Sequence, residues 1–485
     1  MPLRGLYDGF KGDAVVNRIS RTVTGGALAL AMTLGSVVTA SAEALATALS
    51  HAYTHSGLLE QNRALLRAAD EDVALAVSAL RPVISWSSDV TRSFGSTASA
   101  ASGFDFVGSA TNTASIGILA EITLYDAGRN RLGVEAAKEA VLATRAALLS
   151  VEQQVLLRAA TAFMEVRRTT EIVAIRRNNV SVITEELRAA RDRFAVGDIT
   201  RTDVALAESR LAAAESNLAS AEGQYMAAVE EYRASVGKRP GALVAPAGLP
   251  RIPGDAEQAK AVAVRQHPDM IRVQHLVTAN ELGIAIAEAA MSPTLSLRGA
   301  MNLTENLDTD AASRTGSISL QAGGPIYQGG RLSALVRQAM ARRDDARGNL
   351  HVVRHNIQQN VGNAYVQLTV ARASRAASEA QVRAATVAFR GVREEATLGT
   401  RTTLDVLDAE QELLNARANL ISAQVDETIA AYSVLASLGE LTAASLQLNV
   451  PQYDPASYYN LVKAAPVKSR QGAELDRVLR ALGKE

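Results

Sequence analysis

Apolar and polar residues follow two different periods along this chain. Some short segments alternate strictly between the two types, which is the period of a β-strand, whereas long tracts space apolar residues by three and four, as an α-helix does. The alternating segments are residues 84–91, 115–125, 295–304 and 317–322. The sequence therefore predicts four two-sided strands, arranged as two hairpins.

The predicted strands are about ten residues long, the length that a transmembrane β-strand needs. Residues 93–114 are predicted to form a loop rich in Ser, Ala, Thr and Gly, and residues 306–314 a shorter polar loop. A soluble antiparallel sheet with one wet face is the alternative interpretation. In lipid, four strands cannot close a barrel, so the chain would have to oligomerise. Two, three or four copies would all give an even number of strands.

Helical periodicity fills the regions between the strands. No proline occurs in residues 83–239 or 326–450, and Ala137, Val141, Thr144, Leu148, Val151 and Val155 form a heptad seam. Residues 129–194 and 331–397 are predicted to be single helices, each about 100 Å long. Glycines at 197 and 399 would end them. Threonines at 200 and 402 would cap returning helices that run to glycines 237 and 439.

The chain is an internal duplication. A shift of 202 residues aligns LYDAGR of residues 124–129 with IYQGGR of residues 326–331, and it superimposes Gly197 on Gly399 and Gly237 on Gly439. No gap is needed between residues 124 and 237. A constant offset over such a length indicates that each half is the same structural unit, used twice.

The N-terminus has the pattern of a secretory signal peptide. Four basic residues precede the uncharged, mostly apolar residues 23–38, and Ala40-Ser41-Ala42 fits a signal-peptidase site, with Glu43 as the first mature residue. An N-terminal membrane anchor is the alternative, but the apolar core is short for a bilayer span. No run of 18 or more apolar residues is expected after residue 42.

Composition narrows the function classes. The 485 residues include 50 basic and 50 acidic side chains and no cysteine, which argues against a nucleic-acid binder and excludes disulfides and thiolate metal sites. His51/His55 and His351/His355 have the spacing of some zinc ligands, but both pairs lack the accompanying Glu and a third ligand. With no P-loop and no nucleophile–base arrangement, we expect neither an enzyme nor a cofactor or metal site.

With these features together, the chain resembles the TolC family of outer-membrane efflux and type I secretion channels. The resemblance rests on the duplicated layout, on GTRTTLDVLDAE of residues 399–410 with its counterpart VGDITRTDV of residues 196–204, and on Tyr453-Asp454-Pro455. It implies a mainly α fold with a transmembrane β part. Three chains would complete a twelve-stranded β-barrel in the outer membrane, and their antiparallel helical hairpins would form a periplasmic α-barrel tunnel.

The domain organisation follows from the repeat and this resemblance. We expect a signal peptide at 1–42, a first repeat at 43–240, a linker at 241–254, a second repeat at 255–445 and a C-terminal tail at 446–485. The linker and the tail would form a belt around the tunnel.

The resemblance also implies a gate at the periplasmic end of the tunnel. Arg401 would tie the second hairpin to Thr202 and Asp203 of the neighbouring first-repeat turn. Asp405 and Asp408 share a helix face and would form stacked carboxylate rings that select cations. The turns at Gly197 and Gly399 would be the tips that meet the adaptor. The family's best-studied pattern has a tyrosine where this chain has Ala396, so one closing link is absent or replaced. The alternative for Asp203 and Asp405 is a purely local role at a helix start.

The function that this implies is a passive exit duct for multidrug efflux, type I protein secretion or both. Its expected partners are a periplasmic adaptor, an inner-membrane pump or ABC transporter, two further copies of the chain and outer-membrane lipid, with no nucleic acid. The alternative is a non-conducting coiled-coil rod with a structural or adhesive role. The sequence does not distinguish drugs from secreted proteins as cargo.

Overall fold

The computed structural model describes residues 43–98, 100–246, 248–398 and 400–466, together with residues 473, 477–478 and 480–481. The predicted signal peptide at 1–42 and the predicted turn residue Gly399 therefore lie outside the described residues, as does most of the chain after residue 466.

Long helices and a single sheet make up the described part of the chain. The helices are α1 Leu45–His55, α2 Gly57–Ser78, α3 Arg129–Ala195, α4 Arg201–Val236, α5 Ala256–Gln266, α6 Pro268–Ala289, α7 Arg331–Thr397, α8 Thr403–Leu438 and α9 Pro455–Val462. The strands are β1 Val83–Ala98, β2 Phe106–Tyr125, β3 Thr294–Asn306 and β4 Ala312–Gly323. The prediction of a mainly helical fold with four antiparallel strands is confirmed.

The two predicted helical hairpins are present. Helices α3 and α7 each have 67 residues, and the returning helices α4 and α8 each have 36. Both returning helices end at a glycine in the left-handed region, Gly237 with φ of 86° and Gly439 with φ of 82°. A Cβ at Gly237 would lie 2.2 Å from His55, and one at Gly439 would lie 2.8 Å from Pro268. These two glycines therefore allow both the reversal of the chain and its close packing.

The four strands form one antiparallel sheet in the order β1-β2-β3-β4. The strands are longer than predicted, so the prediction of a loop over residues 93–114 is wrong: β1 continues to Ala98 and β2 begins at Phe106. Residues 312–314 likewise belong to β4 rather than to the shorter loop. Pairing continues through these Ser-, Thr- and Ala-rich residues because each backbone satisfies the hydrogen bonds of the other.

The largest apolar core surrounds the middle of α3. Phe163 and Leu156 of α3 are fully buried, as are Leu66 of α2 and Tyr232 of α4. Residues of α1, of α8 and of the segment after Gly439 complete this cluster. No repeat period in the sequence had predicted α1, α2, α5, α6 or α9 as separate elements.

One described helix, α3, contains an 18-residue window with a mean hydropathy of 1.2, apolar enough by length and composition alone to cross a membrane. No such stretch was expected after residue 42. The apolar character of α3 has a different explanation, because its apolar side chains pack against other helices of the same chain.

Candidate functional site

The sheet carries one continuous apolar face. Trp86, Ile118 and Met301 stand in register on three neighbouring strands, with exposed fractions of 74%, 54% and 71%. Gly299 lies two residues before Met301 on the same face of β3, and its partner on β4, Ile318, is 86% exposed. An apolar surface of this extent on a soluble monomer would be unusual, because contiguous exposed apolar patches normally mark a contact with another protein or with lipid.

The opposite face of the sheet is mainly polar. Glu121 of β2 lies beside Arg298 of β3, and the arginine Nη2 donates to the glutamate Oε2 at 2.9 Å. Asp89 accepts a hydrogen bond from the hydroxyl group of Ser115 on the same side. Hence the predicted division of each strand into an apolar and a polar side is confirmed, and the four strands present the same division in common register.

The second candidate region lies where the helical hairpins turn. At the start of α4, Thr200 Oγ1 accepts from the amide of Asp203 at 3.4 Å, and Asp203 Oδ2 accepts from the amide of Thr200 at 2.9 Å. At the start of α8, Thr402 and Asp405 repeat this capping box, with distances of 3.2 and 2.9 Å. The predicted threonine caps are confirmed in both repeats.

The caps also alter the acidity of the two aspartates. The backbone hydrogen bond from Thr200, helped by that of its hydroxyl group, lowers the pKa of Asp203 below its usual value. Bonds from Thr402 do the same for the pKa of Asp405, with a smaller contribution from Arg401. Both carboxylates therefore have a local role at a helix start, which was the alternative interpretation for these two residues.

Arg401 lies in the turn before α8 and binds within its own hairpin. Its Nε donates to Glu395 Oε2 of α7 at 2.9 Å. The predicted partners Thr202 and Asp203 are both exposed at the start of α4. Sequence reasoning missed Glu395, because a separation of six residues across a helix end matches no regular helical spacing.

Asp408 binds a residue of the first repeat. Arg210 Nη2 of α4 donates to Asp408 Oδ1 of α8 at 2.5 Å. Asp405 lies one turn earlier on α8, so the two carboxylates are on the same side of the helix. Sequence reasoning missed Arg210 as well, since the residues are 198 positions apart and no local pattern connects them.

The predicted tips differ in what the structure describes. Gly197 follows α3 with φ of 80°, and its amide donates to the carbonyl of Phe194. This is the left-handed conformation expected at the end of a helix. Gly399 lies outside the described residues, and the role of both tips in adaptor contact stays a prediction.

The described ranges of the chain have one more property, a lack of clustered metal ligands. No group of three or more His, Asp or Glu side chains in this part of the chain is placed to hold a metal ion.

Comparisons with known proteins agree on one family. The family model described as "Outer membrane efflux protein" matches residues 48–238 and 261–440 of this chain. The chain is 35% identical over 437 residues to the outer membrane efflux protein BepC of Brucella suis. This match covers 88% of this chain and 93% of BepC. It is 25% identical to the alkaline protease secretion protein AprF of Pseudomonas aeruginosa, over 62% of this chain and 64% of AprF.

A solved structure shares the fold. The CmeC outer membrane channel of Campylobacter jejuni superimposes with a TM-score of 0.73 at 17% sequence identity. The match covers 87% of this chain and 89% of the CmeC chain.

Proposed function

Because the chain belongs to the outer membrane efflux protein family, we propose that three copies of it form a channel-tunnel that serves as a passive exit duct. The chain is an outer-membrane protein, and its family consists of channels rather than enzymes. The observation that carries the proposal is the two-sided sheet. In the proposed channel its apolar face would be directed outward to lipid and its polar face to a water-filled interior.

The open edges of the sheet support closure by oligomerisation. Within the described chain, β1 and β4 each pair with one neighbour only, so each leaves one row of backbone groups unpaired. Unpaired backbone groups are very costly in lipid. Three four-stranded sheets, joined edge to edge, would form a twelve-stranded barrel in which every strand has two neighbours.

An exposed apolar stripe on α7 supports the same assembly. Exposed apolar residues recur there at multiples of seven, interrupted once by the exposed Gln359: Val352, Val366, Ala373, Ala380 and Val387. Val366 and Val387 are 63% and 70% exposed. A heptad stripe of this kind is the seam by which one helix packs on another in a coiled coil. We assign this stripe to the contact with a neighbouring chain.

The gate of the proposed duct lies at the hairpin turns. In a trimer, Asp405 and Asp408 would each contribute a ring of three carboxylates, and such rings favour cations. Arg401, Thr202 and Asp203 would link adjacent hairpins when the gate is closed. The bond between Arg401 and Glu395 within one chain would then have to exchange for a bond to the neighbour.

The proposed partners are a periplasmic adaptor, docked at the turns, and an inner-membrane pump. The chain itself has no nucleotide-binding loop, so energy must come from that pump. BepC is named as an efflux protein and AprF as a protease secretion protein. The higher identity and coverage of the match to BepC favours small-molecule efflux over protein secretion.

Reconstitution in planar lipid bilayers tests the proposal. The purified protein should migrate as a heat-modifiable trimer and should give discrete, cation-selective conductance steps. Asp405→Asn should lower the cation preference because it removes one carboxylate ring, whereas Asp454→Asn, at the start of α9, should leave it unchanged. A water-soluble monomer, or a trimer without conductance, would contradict the duct and favour the non-conducting rod.

A further inference from the structure

An ion pair joins the two hairpins of one chain near their turns. Arg210 of α4 donates to Asp408 of α8 at 2.5 Å, and the two side chains are 33% and 59% exposed. Among the ion pairs of the described residues, one other joins the two hairpins: Arg168 of α3 lies 3.0 Å from Asp426 of α8. Asp426 is 18 residues beyond Asp408, about 27 Å further along the helix.

An apolar contact supports the Arg210–Asp408 pair. Leu407, the residue before Asp408, is 7% exposed and packs against Ile183 of α3 and Ala214 of α4. A cavity of about 90 Å³ lies beside it, lined by Arg210 and Glu410 among others. The junction thus brings α8 onto both helices of the first hairpin, with Arg210 as the basic residue that lines the cavity.

Acidic groups at this junction act against the contact. Burial raises the pKa of Glu410 on α8, and the nearby Glu186 of α3 raises it further. When both are ionised, these carboxylates repel each other across the junction between the hairpins. Arg393 of α7 opposes this rise in the pKa of Glu410, and Arg210 binds Asp408 on the same helix, one turn from Asp405.

The internal repeat does not supply a second copy of this pair. A shift of 202 residues places Glu412 at the position of Arg210, and Leu206 at the position of Asp408. Because leucine is uncharged, Glu412 and Leu206 cannot form an ion pair like that of Arg210 with Asp408. The contact is therefore a property of one junction only.

The other ties expected near the turns are made elsewhere or absent. Arg401 binds Glu395 in its own hairpin, and Ala396 has no polar group. We infer that Arg210 is a positioning residue of the gate: it holds α8 against the first hairpin and neutralises Asp408 in the resting state. This inference rests on the proposed function and adds a residue that the family resemblance did not supply.

The inference predicts two separate effects of losing Arg210. Arg210→Gln frees α8, and since an exposed ion pair shifts an equilibrium by roughly two- to fivefold, the open fraction of the channel should rise by about that factor. The same variant leaves Asp408 unpaired, so the permeability ratio of K⁺ to Cl⁻ should also rise. Asp408→Asn should likewise raise the open fraction but lower this ratio.

Single-channel recording on the purified, full-length mature trimer tests both effects. Arg168→Gln is the matched control, because it removes the other cross-hairpin ion pair far from the turns and should leave both quantities unchanged. The exchanged pair Arg210→Asp with Asp408→Arg should restore the wild-type open fraction, since the contact is regained with reversed polarity. Trimer formation on unheated gels confirms that each variant has assembled.

The outcomes separate the inference from the proposed function. If the wild-type trimer conducts but Arg210→Gln matches Arg168→Gln, or if the exchanged pair does not restore gating, the inference is wrong and the duct stands. If Arg210→Gln does not assemble, Arg210→Lys decides: wild-type gating supports the role of the charge, and altered gating overturns it. If no preparation conducts, the inference and the proposed function are both overturned.

Discussion

The two long helices, α3 and α7, occupy equivalent positions in the two repeats but have different surroundings. Both bury one face, on which Ala162 of α3 and the equivalent Ala364 of α7 lie. Helix α3 buries a second face as well. Met164 there is 2% exposed, whereas the equivalent Val366 in α7 is 63% exposed.

The difference comes from what covers each helix. Helices α1 and α2 pack on α3 as α5 and α6 pack on α7, but α3 is also in contact with α6, with α8 and with the segment after Gly439. Within the described chain, the side of α7 that carries Val366 has no such additional cover and keeps apolar residues at heptad positions. One repeat thus builds the core of the protomer, and the other presents the surface that we assign to a neighbouring chain.

A pair of ionic contacts shows the same contrast. Asp70 of α2 lies 3.9 Å from Arg145 of α3 and is completely buried. The helix before the second hairpin places Glu281 beside Arg347, the equivalent of Arg145, at 2.6 Å, and both of these side chains are about half exposed. Both repeats therefore contain such a pair of a carboxylate and an arginine. Only in the first repeat does the packing bury the carboxylate completely.

The largest expected effect concerns the exposed stripe of α7. Val366→Glu would place three like charges in the apolar contacts between chains, and we expect it to abolish the trimer. Unheated gels and size-exclusion chromatography in detergent measure this directly. Asn360→Asp, which adds a carboxylate at an exposed polar position of α7 outside the stripe, should leave the trimer intact. A stable V366E trimer would contradict the division of roles between the repeats.

A smaller effect is expected in the core of the first repeat. Phe163 is fully buried and packs against Tyr232 with ring centroids 6.5 Å apart. Phe163→Ala should lower the free energy of unfolding by about 3–5 kcal/mol, through lost burial and the cavity that remains. Guanidinium unfolding in detergent measures the change.

The equivalent position in the second repeat supplies the control. Tyr365 is half-buried, and its hydroxyl group donates to the carbonyl of Pro253 at 2.8 Å. Tyr365→Phe should lower the free energy of unfolding by about 1 kcal/mol, the contribution of one hydrogen bond. An equal loss at the two positions would refute the idea that the core lies on the first repeat.

The buried carboxylate gives an effect of opposite sign. Burial raises the pKa of Asp70 from 3.8 to about 6, despite the opposing attraction of Arg145. Since the folded-state pKa is the higher one, the contribution of Asp70 to stability is complete below pH about 4 and is lost as the pH rises to about 6. Asp70→Asn should therefore stabilise the protein by about 1–3 kcal/mol at pH 7.5 and change little at pH 4.

Unfolding curves at the two pH values test this, with Glu281→Gln as the matched variant. The exposed pair in the second repeat should contribute less than about 1 kcal/mol, with little difference between the two pH values. An Asp70→Asn protein that is less stable than wild type at pH 7.5 would show that the Arg145 contact outweighs the cost of burial.

The smallest effect should be the same in both repeats. Thr200→Ala and Thr402→Ala each remove the threonine of a capping box with nearly the same geometry. Each should destabilise the first turn of its helix by about 1 kcal/mol. Hydrogen exchange of the amides at the starts of α4 and α8 measures both. A clear difference between them would mean that the neighbouring hairpin, rather than the cap, stabilises one of the turns.

Much of the local structure was predictable from the sequence because its causes are local. Proline-free heptads defined α3 and α7 to within one residue, and threonine followed by aspartate three positions later marked the starts of α4 and α8. Alternation identified the faces of all four strands. It failed for residues 93–98 and 106–114, where Ser, Thr, Ala and Gly interrupt it and only cross-strand pairing extends β1 and β2.

The sequence by itself determined the repeat, the hairpins, the helix caps and the two-sided strands, since each depends on residues a few positions apart. Only the tertiary structure decided which repeat is covered, which carboxylate is buried and which arginine binds Asp408. Those outcomes depend on contacts between residues far apart in the chain, such as the 198 positions that separate Arg210 from Asp408. The period of a helix or strand states which residues share a face, but not what that face will meet.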